Sequence, residues 1–526
     1  MEENLNMKTK GKFDLSLIIV SLALLVLFVI MMINSPDATL NGINNIFNKV
    51  VAVFGPMLEV FTFIMLCLSF YLGIGRYKNV KLGDSDPEYS MFSYVAMMTL
   101  AALASAALYW GFTEWAFYYV TPGLGLEPGS TAALEASLGY SFFHWGLSGQ
   151  CIYVIIGVAM AYAFYVKKIP VLQTSAVCSA MMGDVKGKSV IGKLIDFSVI
   201  FGVVGGLGCS LGLAVPLAAG ALTQIFGVKI TFPIQVGIVV FIAIVFTLTS
   251  FIGTKKGMKN LSNFSAGLCI VFLIYVFLAG PTTFIMKNTV NSFGWMIGEF
   301  PRMSFFMDPI AQTGFPESWT LYFQAFYLNY AALMGIFIAK VSKGRTIKQV
   351  AWATLFGISA GGWFLFAVHG SFSIHAHITN QTNIVELVNS GVGEAGIYQV
   401  LELLPGGSII LPVALLVIIV GLVASSLDTG SLSLAQTTTK IVEKDGEVNR
   451  WLRVFWCIVL TLVPLSIMFA KASFSALKIL SILISVPFMF IIIFMAYGMF
   501  KWLKEDRKSG LIDQLIVEDE RKEMLG

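Results

Sequence analysis

The chain has 526 residues, of which 57% are hydrophobic and 12% charged, and its formal net charge is +4. A soluble domain carries roughly a quarter charged residues, so most of this surface faces something other than water, and the small net charge gives no nucleic-acid footprint. Cys67, Cys151, Cys178, Cys209, Cys269 and Cys457 lack C-x-x-C spacing and sit mostly in apolar runs, which reads as small hydrophobes rather than disulfides or metal ligands.

In chain order, apolar spans are predicted near 14–34, 51–75, 91–118, 139–165, 194–222, 234–253, 264–286, 317–340, 350–374, 407–436, 451–471 and 476–502. Each is long enough to cross about 30 Å of hydrocarbon at about 1.5 Å per residue. The first exceeds about 20 residues and no A-x-A site follows it, which argues against a signal peptide. Spans longer than about 25 residues predict tilt or an unwound middle. The expected fold is all-α and polytopic, with about twelve transmembrane helices.

Charge tests the count. With the N-terminus inside, Lys8, Lys10, Lys12; Arg76, Lys78, Lys81; Lys167, Lys168, Lys186, Lys188, Lys193; Lys255, Lys256, Lys259; Lys340, Lys343, Arg345, Lys348; and Lys440, Lys444, Arg450, Arg453 fall in the cytoplasm, as does the C-terminal tail. Outside lie only Lys49, Lys229, Lys287, Arg302, Lys471 and Lys478. The positive-inside rule is met at every loop, so a multi-pass protein of a bacterial or archaeal inner membrane with both termini cytoplasmic is expected. Two long outer segments remain, about 287–316, read as an amphipathic surface helix plus a turn, and about 371–406.

Chemistry-bearing residues are few. Trp145 and Tyr153, eight apart, share a helical face, as do Tyr327 and Tyr330. Aromatic faces converging in a bundle can cage a quaternary ammonium by cation–π attraction; an interfacial belt or plain packing gives the same composition. Glu114, Asn329 and the run Ser425–Ser431 are polar residues inside apolar spans, where such residues are costly. Hydroxyls beside an unwound turn would suit Na⁺; serines bonded back to the preceding turn are the alternative. Gly202, Gly205, Gly206, Gly208 and Gly212 read as close helix packing. His375 and His377 would share a face on a strand, but no acid or cysteine cluster completes a metal site. There is no H-E-x-x-H or Walker A motif, which argues against a membrane enzyme or an ATP-driven pump. No cofactor is expected, and the expected partners are a small amine solute and the lipid bilayer.

Several stretches carry a resemblance. They are Gly125-Leu126-Glu127-Pro128-Gly129-Ser130-Thr131, Phe143-His144-Trp145-Gly146, Ser210-Leu211-Gly212-Leu213-Ala214, Phe300-Pro301-Arg302-Met303, Asp308-Pro309-Ile310-Ala311 and Phe315-Pro316. Ile338-Ala339-Lys340-Val341-Ser342-Lys343-Gly344-Arg345-Thr346 is similar to an I-A-R-I-S-R-G-R-T signature. Together, from residue 13 to 502, the chain resembles the betaine/choline/carnitine transporter family, and most closely its carnitine/γ-butyrobetaine antiporter branch. The resemblance implies a LeuT-like core of two inverted five-helix repeats, 91–286 and 317–502, with 1–90 holding two peripheral helices, 287–316 an outer helix and loop, and 503–526 a short tail. It also implies a homotrimer and a midplane aromatic box.

On that resemblance Trp145 and Tyr153 match box residues, and Phe326 and Tyr327 stand where two tryptophans are usual. Tyr330 and Phe117 adjoin the box, while Gln150 and Gln324 bring amides into its neighbourhood. Losing indole and gaining amides predicts a substrate that offers an N–H or another polar group: sarcosine, dimethylglycine, creatine or a longer betaine rather than glycine betaine alone. Ser425 and Ser426 align with hydroxyl ligands of sodium-coupled relatives, with the Leu103 backbone as a third candidate ligand. Ser265 stands where sodium-independent members place an arginine, whereas Met334 matches a methionine of the antiporter branch. Coupling to at least one Na⁺ is therefore expected, with Na⁺-independent antiport as the alternative.

Overall fold

A computed structural model of the protein describes residues 13–102, 105–183, 190–251, 255–440, 448–469 and 474–516. Among these residues the chain is helical, with three isolated β-bridges and no strand. Two leading helices, α1 (Leu15–Asn34) and α2 (Pro36–Ile74), are followed by α3 (Met91–Ala101) and α4 (Ser105–Val120). Then come α5 (Thr131–His144), α6 (Leu147–Tyr165), α7 (Thr174–Met181), α8 (Val190–Phe226), α9 (Phe232–Phe251), α10 (Lys255–Ala279) and α11 (Thr282–Met303). The second half holds α12 (Pro316–Val341) and α13 (Ile347–Ile378), the short α14 (Ile384–Asn389) and α15 (Gly393–Glu402), then α16 (Ile410–Thr437), α17 (Arg450–Phe469), α18 (Phe474–Lys508) and α19 (Leu511–Leu515).

Over the described residues, each of the twelve predicted apolar spans is largely helical. Among the described residues nine helices are long and apolar enough to cross a membrane, or ten if α3 and α4, bent by 62°, form one span. Several boundaries differ from expectation, with α2 starting at Pro36 rather than 51 and α5 at Thr131 rather than 139. The seventh span ends at Ala279, not 286, and Pro281 caps a new helix, because proline lacks the N–H that would continue the first. The expected loop from 371 begins later: 371–378 remain inside α13, where the His375 ring packs on Phe284 at 5.0 Å and His377 on Trp115 at 5.6 Å. On a helix, residues two apart point to opposite sides, so these histidines do not share a face. Among the described residues there is no group of three or more potential metal ligands.

Local chemistry fixes the helix starts. Asp14, Ser90 and Ser130 each accept an N–H from the first turn of α1, α3 and α5, and Thr346 with Gln349 makes a reciprocal capping box on α13. The signature around Gly344 is structural. Gly344 has φ +73°, and a Cβ there would lie 2.4 Å from the Ser85 carbonyl. Arg345 is buried, donates to the Tyr89 carbonyl and stacks over Tyr94 at 4.8 Å. Antiparallel bridges Lys81–Thr346 and Val80–Ile516 tie this lysine-rich end of the bundle together.

The packing is reciprocal between the two halves. α6 lies on α12 as α13 lies on α4; α10 lies on α16 as α18 lies on α8; α9 lies on α16 as α17 lies on α8. α8 and α16 pack directly on each other, with Gly430 of α16 against Leu207, while Gly202, Gly205 and Gly206 of α8 face α12 and α18. The Gly202 position faces the Phe488 ring at 2.8 Å and the Gly206 position faces Tyr330 at 2.8 Å, so neither has room for a Cβ.

Candidate functional site

The continuous-looking fourth span is broken at its centre. α5 ends at His144, Trp145 takes φ −95° and ψ 4°, and Gly146 takes φ −104° and ψ −140° before α6 starts at Leu147. A break inside a bundle frees carbonyls that need donors. Trp363 Nε1 donates to the Phe142 carbonyl at 2.8 Å, Ser148 Oγ donates to Phe143, and Gln150 Nε2 lies 3.5 Å from the Trp145 carbonyl. A Cβ at Gly146 would lie 2.4 Å from the Phe142 carbonyl and 2.6 Å from Trp363 Nε1, so the crossing requires glycine.

The break swings Trp145 against rings from two other helices. Its centroid lies 5.0 Å from Phe366, 5.5 Å from Phe323 and 6.3 Å from Phe326. Phe326 continues the cluster to Tyr330 at 4.8 Å and Tyr327 at 6.1 Å, and Tyr327 meets Tyr153 edge-on at 5.4 Å. The Tyr327 ring presses on Gly149, where a Cβ would sit 2.0 Å from it. Gln150 Nε2 reaches the Tyr327 hydroxyl at 3.5 Å, while Gln150 Oε1 is buried with no hydrogen-bond partner. Tyr330 is anchored by a 2.7 Å bond to Ser210 on α8.

A buried acid holds the tryptophan. Glu114 on α4 is fully buried; its Oε2 accepts Trp145 Nε1 at 2.7 Å and its Oε1 accepts the Tyr118 hydroxyl at 2.8 Å. Tyr118 is also 2.8 Å from His144 Nδ1, and His144 Nε2 is 3.2 Å from Thr320 Oγ1. One hydrogen pattern serves the whole chain. Thr320 donates to Nε2, Nδ1–H donates to the Tyr118 oxygen, and both Tyr118 and Trp145 donate to Glu114. The indole edge is fixed in this way and its face is left to the box.

The sequence-derived residues are thus partly united. Trp145, Tyr153, Phe326, Tyr327, Tyr330 and Gln150 converge. Phe117 instead joins a neighbouring cluster with Trp319 at 5.0 Å and Trp110 at 6.0 Å. Gln324 is turned away, donating to Glu59 on α2 at 2.8 Å. Met334, one turn beyond Tyr330, is half-buried. Sequence reasoning did not single out Trp319, Phe323 or His144 as site residues. The spacing Trp319, Phe323, Phe326, Tyr330 (i, i+4, i+7, i+11) is a one-face helical pattern that could have found two of them.

The serine run is helical throughout α16, with no unwound turn beside it. Ser426 Oγ bonds back to the Leu422 carbonyl at 2.9 Å, whereas Ser425 Oγ accepts from Ser262 on α10 at 2.8 Å. Ser265, one turn along from Ser262, is buried with an unpartnered hydroxyl, and its Oγ lies 1.7 Å from where a Cβ on Gly421 would be. Three hydroxyls therefore lie along the α10–α16 seam. Leu103 lies outside the described residues.

A model of the betaine/carnitine/choline transporter family matches residues 16–508. A carnitine transporter from Acinetobacter baumannii is 36% identical over 472 residues, covering 89% of this chain and 86% of its own. An uncharacterised transporter, YeaV, from Escherichia coli is 36% identical over 439 residues, covering 84% of this chain and 91% of its own. Among solved structures, a Na⁺-coupled sialic acid symporter in a substrate-bound outward-open state aligns with a TM-score of 0.44 and 13% identity, over 83% of this chain and 85% of that one.

Proposed function

Since the chain belongs to the betaine/carnitine/choline transporter family, we propose that it carries an N-methylated zwitterion across the cytoplasmic membrane by alternating access, coupled to Na⁺. It is a multi-pass membrane transporter and not an enzyme. The observation that carries the substrate reading is the cluster of Trp145, Tyr153, Phe326 and Tyr327 with one unpartnered acceptor, Gln150 Oε1, among them. Ring faces attract a methylated ammonium, by about 2 kcal/mol or more for a desolvated cation. A buried amide oxygen without a donor favours a ligand that brings a hydroxyl or N–H. Carnitine has that hydroxyl, and creatine and sarcosine have the N–H.

The reciprocal packing of the two halves supports two inverted repeats, 91–286 and 317–502, rocking around this box. Basic loops gathered on one face support cytoplasmic termini. For the coupling ion, the support is the α10–α16 hydroxyls, Ser262, Ser265 and Ser425, with no arginine at Ser265. The test is uptake into proteoliposomes of carnitine, γ-butyrobetaine, glycine betaine, sarcosine and creatine, with Na⁺ or K⁺ as the sole cation. Saturable uptake of a hydroxyl- or N–H-bearing substrate that collapses in K⁺ supports both parts. Exchange of carnitine for γ-butyrobetaine unchanged in K⁺ replaces Na⁺ coupling with antiport. Selective glycine betaine uptake removes the substrate assignment.

A further inference from the structure

α2 contributes nothing to the aromatic box, yet it buries an acid against the back of it. Glu59 is the one charged residue in the apolar run 51–75 and is 2% exposed. Its Oε2 accepts Gln324 Nε2 at 2.8 Å. The remaining oxygen of each group, Glu59 Oε1 and Gln324 Oε1, is buried and has no hydrogen-bond partner. Both residues line a cavity of ≈ 10 Å³, about the room one water needs.

The hydroxyls around that cavity cannot supply the missing donor. Each has a single hydrogen, and each is committed elsewhere: Thr62 to the Leu58 carbonyl at 2.9 Å, Ser148 to Phe143, and Ser304 to Phe300 at 2.8 Å. Among the described residues no cation pairs with Glu59. The titratable groups facing it are Glu317 on α12, Tyr140 on α5 and Cys151 on α6, whose Sγ lies 3.6 Å from the Thr62 carbonyl. On α11, Arg302 is engaged by the Leu124 carbonyl at 3.2 Å and by Glu299 at 3.9 Å. α1 has no titratable residue. α18 presents Ile482, Val486 and Met489 to α2; at its basic end Asp506 pairs with Lys167, and the side chain of Lys478, near its start, lies outside the described residues. α13 meets α2 at Phe70 and Gly73, about three turns further on.

An ionised carboxylate in such surroundings would be a buried charge with one neutral partner, which is strongly unfavourable. One hydrogen resolves the arrangement, because it turns Glu59 Oε1 into the donor that the amide oxygen lacks. We propose that Glu59 and Gln324 form a proton-binding site, a neutral carboxylic acid–amide pair, and that the box in front of it changes shape when the proton leaves. The lever is short. Gln324 directly follows Phe323 and precedes Phe326 and Tyr327, and Ser148 in the same cavity lies three residues past Trp145. Ionisation would draw water or a cation into the cavity and part α2 from α6 and α12.

The proton site stands without the substrate assignment; only its effect on transport rests on it. Infrared difference spectra of the purified full-length protein in lipid, titrated from acid to alkaline pH, read the carboxylic C=O stretch with no substrate present. The expected result is a band in the wild type at neutral pH that is lost in Glu59→Gln and displaced to higher frequency in Gln324→Leu, which keeps the acid and removes its partner. Wild-type and Glu59→Gln spectra that superimpose throughout would overturn the proposal, as would an unmoved band in Gln324→Leu. Should Glu59→Gln fail to fold, the Gln324→Leu displacement decides alone. With carnitine as probe and tryptophan fluorescence as readout, wild-type affinity should fall as pH rises past the loss of the band, and Glu59→Gln should be flat. A wild-type profile in Glu59→Gln overturns the link to the box. Silence toward carnitine in every variant is a failure of the substrate reading, and the infrared outcome is unaffected by it.

Discussion

The Trp145 break and the Ser425 seam are built on different principles. At the break, freed carbonyls, indole and phenol are bonded to named partners, and Glu114 fixes the tryptophan before any ligand arrives. At the seam, the helix is unbroken, Ser426 satisfies itself, and Ser425 and Ser265 depend on what lies between α10 and α16. The first is a preorganised surface of ring faces. The second is a set of oxygens whose spacing follows helix position. Perturbing the box should therefore remove binding outright, whereas perturbing the seam should alter its dependence on cation.

Trp145→Ala tests the larger effect. Loss of a desolvated cation–π face is worth about 2 kcal/mol or more, so the Kd for carnitine should rise by at least about thirtyfold, measured by calorimetry. A change below threefold would remove Trp145 from the site. Glu114→Gln keeps the shape but leaves one acceptor oxygen for two donors, so the Trp145 indole or the Tyr118 hydroxyl loses its partner at about 1–3 kcal/mol. Substrate affinity should fall by about tenfold or more, and the quench of tryptophan emission on binding should change with it. Unchanged binding would mean that the indole needs no anchor.

Gly149→Ala sharpens the contrast by acting on packing alone. Its Cβ would sit 2.0 Å from the Tyr327 ring, so overpacking should cost about 1–3 kcal/mol of stability, read as a lower melting temperature in detergent. Ser425→Ala should raise the Na⁺ concentration for half-maximal uptake by about tenfold while leaving Na⁺-free substrate binding unchanged; an equal loss in both would place the hydroxyl in the box instead.

The smallest effect is expected far from both regions, in the loop after α11. Asp308 accepts the N–H and the hydroxyl of Thr313 at 2.7 and 2.6 Å. Desolvation alone would raise its carboxyl, but these donors and the N–H groups of Ala311 and Gln312 outweigh it and hold the group below the usual carboxylate range. A lowered folded value means stability present above the unfolded pKa and lost as pH falls through the folded one. The loop should resist proteolysis at neutral pH and loosen below the ordinary carboxylate range. Asp308→Ala should be loose at every pH, with transport changed little.

Much of this was legible in the chain. Apolar runs of bilayer length located every helix long and apolar enough to span among the described residues, because lipid forces backbone bonds to close within a segment. Tyr327 and Tyr330 lie on one helix as their spacing predicted, whereas the break at Gly146 separates Trp145 from the helix that carries Tyr153, so those two do not share a helical face. The fate of Gln324 was not legible: its neighbours in sequence face the box, and only the packing of α2 on α12 shows the amide meeting Glu59. The serine run read equally as back-bonded or ion-facing, and the structure divides it: Ser426 bonds back to its own helix, and Ser425 accepts from Ser262 on α10.

Sequence by itself determined the membrane class, the helix inventory, the lysine-rich ends and the aromatic supply, since these follow from local composition and the periods of the backbone. Tertiary structure alone decided where the fourth span breaks, that Glu114 grips Trp145, and that Glu59 and Gln324 are left with two acceptor oxygens and no hydrogen between them. Each of these joins residues from different helices, and hydrogen-bond partners across a bundle are set by which faces meet, which no single segment encodes.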